Sequence, residues 1–144
     1  ELTRIAGGAA AASILLSSIA CRAAEPLVAA YDARLRTQQL EWEVAPGRAY
    51  RGYNAAPAGA AAGLPVVLVI HENRGLNDPI RDVTRRLALA GYSAVAPDFL
   101  SPAGGTPANE DRAREMIGEL DMAATVADAA AAVAADMVVR YGTL

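Results

Sequence analysis

Lysine is absent from these 144 residues, and cysteine, histidine, tryptophan and phenylalanine occur once each. A phosphate-binding loop of the G-x-x-x-x-G-K-[ST] type needs the missing lysine, so that reading fails. The lone cysteine, Cys21, excludes an internal disulfide, and one cysteine with one histidine falls short of an ordinary zinc ligand set. No metal and no cofactor are expected. A basic excess is lacking too: the formal charge is −3 and all thirteen basic residues are arginine, whereas nucleic-acid-binding surfaces carry a clear positive surplus. Arg81, Arg85 and Arg86 alternate with Asp78 and Asp82 and read as a solvated helix face. No G-x-G-x-x-G follows an apolar run, which removes the dinucleotide-binding reading. Glu110, Asp111 and Glu115 offer paired carboxylates for glycoside chemistry, but on a polar helix such charges are a solvated face.

At this length one core is expected. Ile5 to Ala20, IAGGAAAASILLSSIA, is uncharged and apolar to small, preceded by Arg4 and followed by small residues, Glu25 and Pro26. That order is an export signal's, expected over residues 1–24, and the stretch is shorter than the roughly 20 apolar residues a membrane span needs. Because the sequence opens at Glu1, part of the positive region is expected to be missing, which leaves room for a preceding twin-arginine pair. Lipid attachment at Cys21 is disfavoured, since Ser18 stands where leucine is usual three residues before the cysteine. An exported protein follows, periplasmic or extracellular, touching a membrane through its signal alone. Residues 25–39 read as a linker or short helix.

Residues 40–57, LEWEVAPGRAYRGYNAAP, read as two strands, Leu40 to Val44 and Arg48 to Asn54, joined in a hairpin at Pro46-Gly47. Ala55 to Gly63 reads as a surface loop with too little side chain to pack. The unbroken aliphatic run of PVVLVIH then implies a strand buried on both faces, hence an interior strand of a parallel sheet. Asp78 is a good N-cap with Pro79 at the first helical position, and Ile80, Val83 and Leu87 mark one stripe until Gly91. A second buried strand, YSAVAP, completes a strand–helix–strand crossover and an α/β architecture. A short polar helix over 109–118 and a longer one follow, the latter with Met122, Val126, Ala130, Val133 and Met137 on one face and Gly142 at its end. Ligands of open parallel sheets bind at the carboxyl ends of the strands, so His71, Glu72, Asn73 and Arg74 at that tip are the place for a site. Asp98, at the end of the neighbouring strand, is placed to cap the following turn.

The run VIHENRGLNDPIRDVTRRLALAGYSAVAPDFLSPAGGTPANEDRARE, residues 69–115, resembles the dienelactone hydrolase family of α/β-hydrolases. HENRGLN, the helix after it, GY.AVAPD.LS and GG.P.N.D..RE stand in the order and spacing of the family's exported members, and with the hairpin and signal the resemblance covers about residues 1–140. It implies the N-terminal half of an α/β-hydrolase fold over 40–144, an antiparallel hairpin leading into a parallel sheet with flanking helices. It also implies hydrolysis of cyclic or activated esters by a Cys-His-Asp triad, with the cysteine in a G-x-C-x-G elbow after the next strand.

No nucleophile is expected within these 144 residues. Cys21 lies in IACRA without an elbow, Ser93 lies inside a strand, and His71 is the only imidazole. The resemblance instead carries over the supporting half of a site. Glu72 matches the glutamate that contacts the resting nucleophile and raises the pKa of a nearby thiol. Asn73 matches the position whose backbone N–H forms half of the oxyanion hole. Arg114 matches an arginine that binds the substrate carboxylate, with Arg112 in the repeat DRARE as the competing assignment. His71 and Arg74 are supporting residues that shape the strand end and loop. The partner expected is a small ester or lactone; substrate and oligomeric state stay open. The alternative is a truncated, non-catalytic fragment that binds small molecules or partners.

Overall fold

The computed structural model describes residues 26–60 and 63–141, with side chains to residue 134; the expected signal, Cys21 within it, the Met137 side chain and Gly142 lie outside that description. The first two strands, β1 (Leu35–Ala45) and β2 (Arg48–Pro57), form the antiparallel hairpin. Its turn is set by Gly47, whose φ of +76° suits glycine, and the Gly47 N–H donates to the Glu43 carboxylate at 2.7 Å. β1 begins at Leu35, so the segment expected as linker or short helix is strand from there on. Before it, Asp32 and Arg34 form an exposed pair whose hydrogen bonds hold the Asp32 carboxyl down at about 2.

After β3 (Val66–Leu68) come α1 (Asp78–Leu89), β4 (Ser93–Asp98), a 3-10 turn over Ser101–Ala103, α2 (Glu110–Gly118) and α3 (Met122–Tyr141). The sheet order is β1-β2-β4-β3, with β4 antiparallel to β2 and parallel to β3. Helices cover both faces. Tyr53, Ala55, Ala94 and Ala96 face α1 and pack with Ala88, Leu76 and Val69. The alternate residues Leu40 and Val95 pack with Ala132 of α3, and Tyr50 and Phe99 with Ala129. This is the period-2 alternation of a sheet buried on two sides.

Five further sequence expectations are corrected. Ala55 and Ala56, assigned to a loop, are fully buried in β2, Ala55 on the face that packs against Ala88 of α1. Among the described residues β3, expected to be interior, is an edge with β4 as its one neighbour; Val66 to Leu68 are half-buried and Ile70 is 66 % exposed. The N-cap of α1 is Asn77, whose Oδ1 accepts the Ile80 N–H at 3.2 Å, which places Asp78 in the first turn; Val83, expected on the apolar stripe, is exposed.

The arginine cluster is not a solvated face: Arg85 is 6 % exposed and donates to the Tyr53 hydroxyl at 3.2 Å, while Arg86 bonds the buried Asp82 at 2.6 Å. Finally, α3 buries Thr125, Asp128, Ala129 and Ala132, leaving Met122 (65 %) and Val126 (67 %) outward. The choice of face follows from Asp128, which accepts the Tyr50 O–H at 2.6 Å and pairs with Arg48 at 2.5 Å. Turning the apolar stripe inward would strip that carboxylate of both partners.

Candidate active site at the carboxyl ends of the parallel strands

Two strand ends and two loops converge here. β4 ends in Asp98, whose carboxylate accepts the N–H groups of Leu100 (3.1 Å) and Thr106 (2.8 Å) and the Thr106 hydroxyl (2.8 Å). The same Thr106 oxygen accepts the Leu76 N–H at 2.8 Å. One threonine therefore ties the loop after β3 to the end of β4. Gly75 makes room for it: its φ is +73°, and a Cβ there would lie 2.2 Å from the Thr106 hydroxyl oxygen. Glycine at this position answers both backbone conformation and space.

His71 holds the other side of the junction. Its Nε2 faces the Phe99 N–H at 3.1 Å and its Nδ1 faces the Glu72 carbonyl at 3.0 Å. A backbone N–H only donates and a carbonyl only accepts, so Nε2 is the acceptor and Nδ1 carries the proton. The ring is buried, lies 5.2 Å from that of Phe99, and spends both nitrogens on the main chain. In this arrangement His71 has no free nitrogen to serve as a base; it buttresses the strand ends, as a supporting residue.

The next residues turn sharply, the Gly75 N–H donating to the Glu72 carbonyl at 3.1 Å. This presents Glu72 and Asn73 on the outside of the turn, both exposed. Among the described residues neither the Glu72 carboxylate nor the Asn73 N–H has a hydrogen-bond partner. An unspent N–H beside an unspent carboxylate at the end of a parallel strand is free to meet a ligand. Arg74 continues the turn and reaches Glu110 at the start of α2 (3.6 Å), whose other oxygen lies 3.8 Å from Arg114. Arg114 also pairs with Asp111, while Arg112 turns to Glu115 at 2.9 Å. Arg114, not Arg112, thus belongs to the ion-pair chain that leads back to the turn.

Ser93 stands apart. It is fully buried at the opposite end of β4, about 16 Å from Asp98 at the usual strand rise of roughly 3.3 Å per residue, and its hydroxyl lies 3.4 Å from the Asn54 amide. Among the described residues no group of His, Cys, Asp and Glu side chains could hold a metal ion, and no helix is long and apolar enough to cross a membrane. Sequence reasoning missed Thr106, whose partners lie 30 and 8 residues away; its one local signal is a threonine directly after Gly104-Gly105.

Comparison with known proteins adds four findings. The model of the dienelactone hydrolase family matches residues 50–141. The Escherichia coli K12 protein YghX, whose name calls it a hydrolase fragment, is 54 % identical over 71 residues, which is 49 % of this chain and 61 % of that one. A second Escherichia coli K12 protein, carrying the name carboxymethylenebutenolidase, is 38 % identical over 97 residues, 67 % of this chain and 32 % of its own. In three dimensions, a crystal structure named for a dienelactone hydrolase from Klebsiella pneumoniae subsp. pneumoniae MGH 78578 superposes with a TM-score of 0.58 at 28 % identity, covering 76 % of this chain and 46 % of that one. The match thus takes in less than two thirds of each of these proteins, and the shared architecture is that of the α/β-hydrolases.

Proposed function

We propose, on the premise that this chain belongs to the dienelactone hydrolase family, that it supplies the oxyanion-binding and substrate-orienting part of an ester or lactone hydrolase. The observation that carries the reading is the free Asn73 N–H beside the free Glu72 carboxylate at the carboxyl end of β3. In this scheme the Asn73 N–H donates to the oxyanion that develops when the ester carbonyl is attacked, a role in which one donor is worth roughly 10²–10³ in rate. Glu72 faces the attacking thiol before substrate arrives and, as a neighbouring negative charge, keeps it protonated. Arg114 releases Glu110 and Asp111 to grip a substrate carboxylate with its two-pronged fork. His71, Arg74, Thr106 and Asp98 hold the turn in place.

The attacking thiol and its base come, in this proposal, from outside the described residues. A hydrolysis assay with p-nitrophenyl acetate and a dienelactone tests it, on the 144-residue protein alone and mixed with a polypeptide carrying the cysteine-elbow half of a family member. Background rates alone and ester cleavage on mixing are expected; turnover by the 144 residues alone contradicts the division of labour. The word fragment in the name of YghX prompts a second reading, a truncated piece without catalysis of its own, for which mixing gives no turnover. We further propose export, periplasmic or extracellular, directed by residues 1–24; N-terminal sequencing of the protein from fractionated cells tests it, and an uncut cytoplasmic product contradicts it.

A further inference from the structure

On the α1 side of the sheet a groove enclosing about 590 Å³ runs between residues 27–30, the middle of β1 and the start of α1, and no residue of the 71–75 turn lines it. Leu27 and Val28 give it an apolar wall; Gln39, Tyr53, Arg81 and Arg85 line the other side. Arg81 and Arg85 stand one helical turn apart, and both guanidiniums lie over the Tyr53 ring, 5.6 and 5.8 Å from its centroid. Like charges at this spacing destabilise a helix, and little on the protein compensates them. Arg85 is buried and donates one N–H to the Tyr53 hydroxyl, but among the described residues its nearest carboxylate oxygen lies 4.0 Å away on Asp82 and its Nε has no hydrogen-bond partner. Asp82 is engaged elsewhere, by Arg86 Nε and by the Val28 N–H, each at 2.6 Å. Among the described residues the Arg81 guanidinium has neither an ion pair nor a hydrogen bond, only the Tyr53 ring. Among the described residues the one other charged side chain lining the groove is Asp78, exposed in the first turn of α1.

Two under-compensated guanidiniums against one carboxylate, beside an apolar wall, call for an anion with an apolar body. We propose that this groove binds a small organic monocarboxylate, its carboxylate between Arg81 and Arg85 and its body against Leu27 and Val28. Such a ligand offsets the repulsion between the two arginines while the aliphatic wall and the Tyr53 ring exclude water from its hydrocarbon part. The site is independent of the proposed ester site, whose arginine is Arg114.

Benzoate is the probe, titrated into the 144-residue protein and followed by calorimetry. Saturable binding is expected for benzoate and none for benzyl alcohol, which has the ring without the charge. Arg81→Gln, at a partly exposed position, is expected to weaken benzoate binding roughly tenfold or more with the circular dichroism unchanged. Arg81→Lys, keeping the charge, retains most of the affinity, and Arg114→Gln retains all of it. Four results would each overturn the proposal: no saturable benzoate binding, equal binding of benzyl alcohol, full affinity in Arg81→Gln, or loss of affinity in Arg114→Gln. Inorganic phosphate competing as well as benzoate would overturn the part assigned to the apolar wall.

Discussion

β3 and β4 run side by side in the same direction from similarly apolar sequences, and they end up differently. Every residue from Ser93 to Leu100 is buried, whereas Val66 to Leu68 are half-buried and Ile70 is exposed. β4 has β2 on one edge and β3 on the other; β3 has β4 alone among the described residues. An aliphatic run records what a strand tolerates, and burial is conferred by neighbours that its own residues do not encode. The turn of the candidate site follows the less buried strand, and its geometry is borrowed from the end of the more buried one through Thr106 and the Phe99 N–H.

That contrast can be broken by measurement. Leu100→Ala, just past β4 in a fully enclosed cluster with Ala113 and Met116, is expected to cost about 3 kcal/mol by urea denaturation. Leu68→Ala on β3 should cost about 1 kcal/mol, because a half-buried side chain loses only part of its transfer energy. Equal costs would mean that β3 is as enclosed as β4. Gly75→Ala adds a Cβ to a left-handed residue against Thr106 and is expected to cost about 2 kcal/mol, with the amide signals of residues 72–76, Asp98 and Thr106 displaced and those of Ser93 to Val95 unmoved. Thr106→Val leaves the Leu76 N–H and one Asp98 oxygen short of a partner, and about 1.5 kcal/mol of stability should go with them.

The smallest effect concerns acid. Burial opposes ionisation of Asp82, yet the bonds from Arg86 and the Val28 N–H outweigh it and hold the carboxyl below its usual value. A carboxyl lowered on folding stabilises the protein above its unfolded pKa of about 3.9, and that contribution disappears as pH falls through the lowered value. Asp82→Asn is therefore expected to flatten the acid limb of the stability curve below about pH 4, and an unchanged acid limb would show that the pair contributes nothing.

Much of this was legible where the chemistry is local. Pro46-Gly47 announced the hairpin turn, Asn109 to Gly118 marked α2 to within a residue, and the His71–Arg74 cluster lay at a strand's carboxyl end as its composition required. Less was legible where partners come from afar. In α3 nine of 20 positions are alanine and four are valine, so periodicity has little contrast, and the buried face is chosen by Asp128 reaching Tyr50 78 residues earlier. Arg85 looks solvent-bound in sequence because the Tyr53 ring that covers it is 32 residues away. Thr106 reads as loop filler for the same reason.

The most direct test of the proposed site is the amide spectrum of the 15N-labelled protein during titration with a carboxylate-bearing dienelactone. Saturable shifts of the Asn73 N–H and the Arg114 guanidinium, with Ser93 unmoved, are the predicted result. An Asn73 N–H that stays put while the ligand saturates another part of the molecule would contradict it.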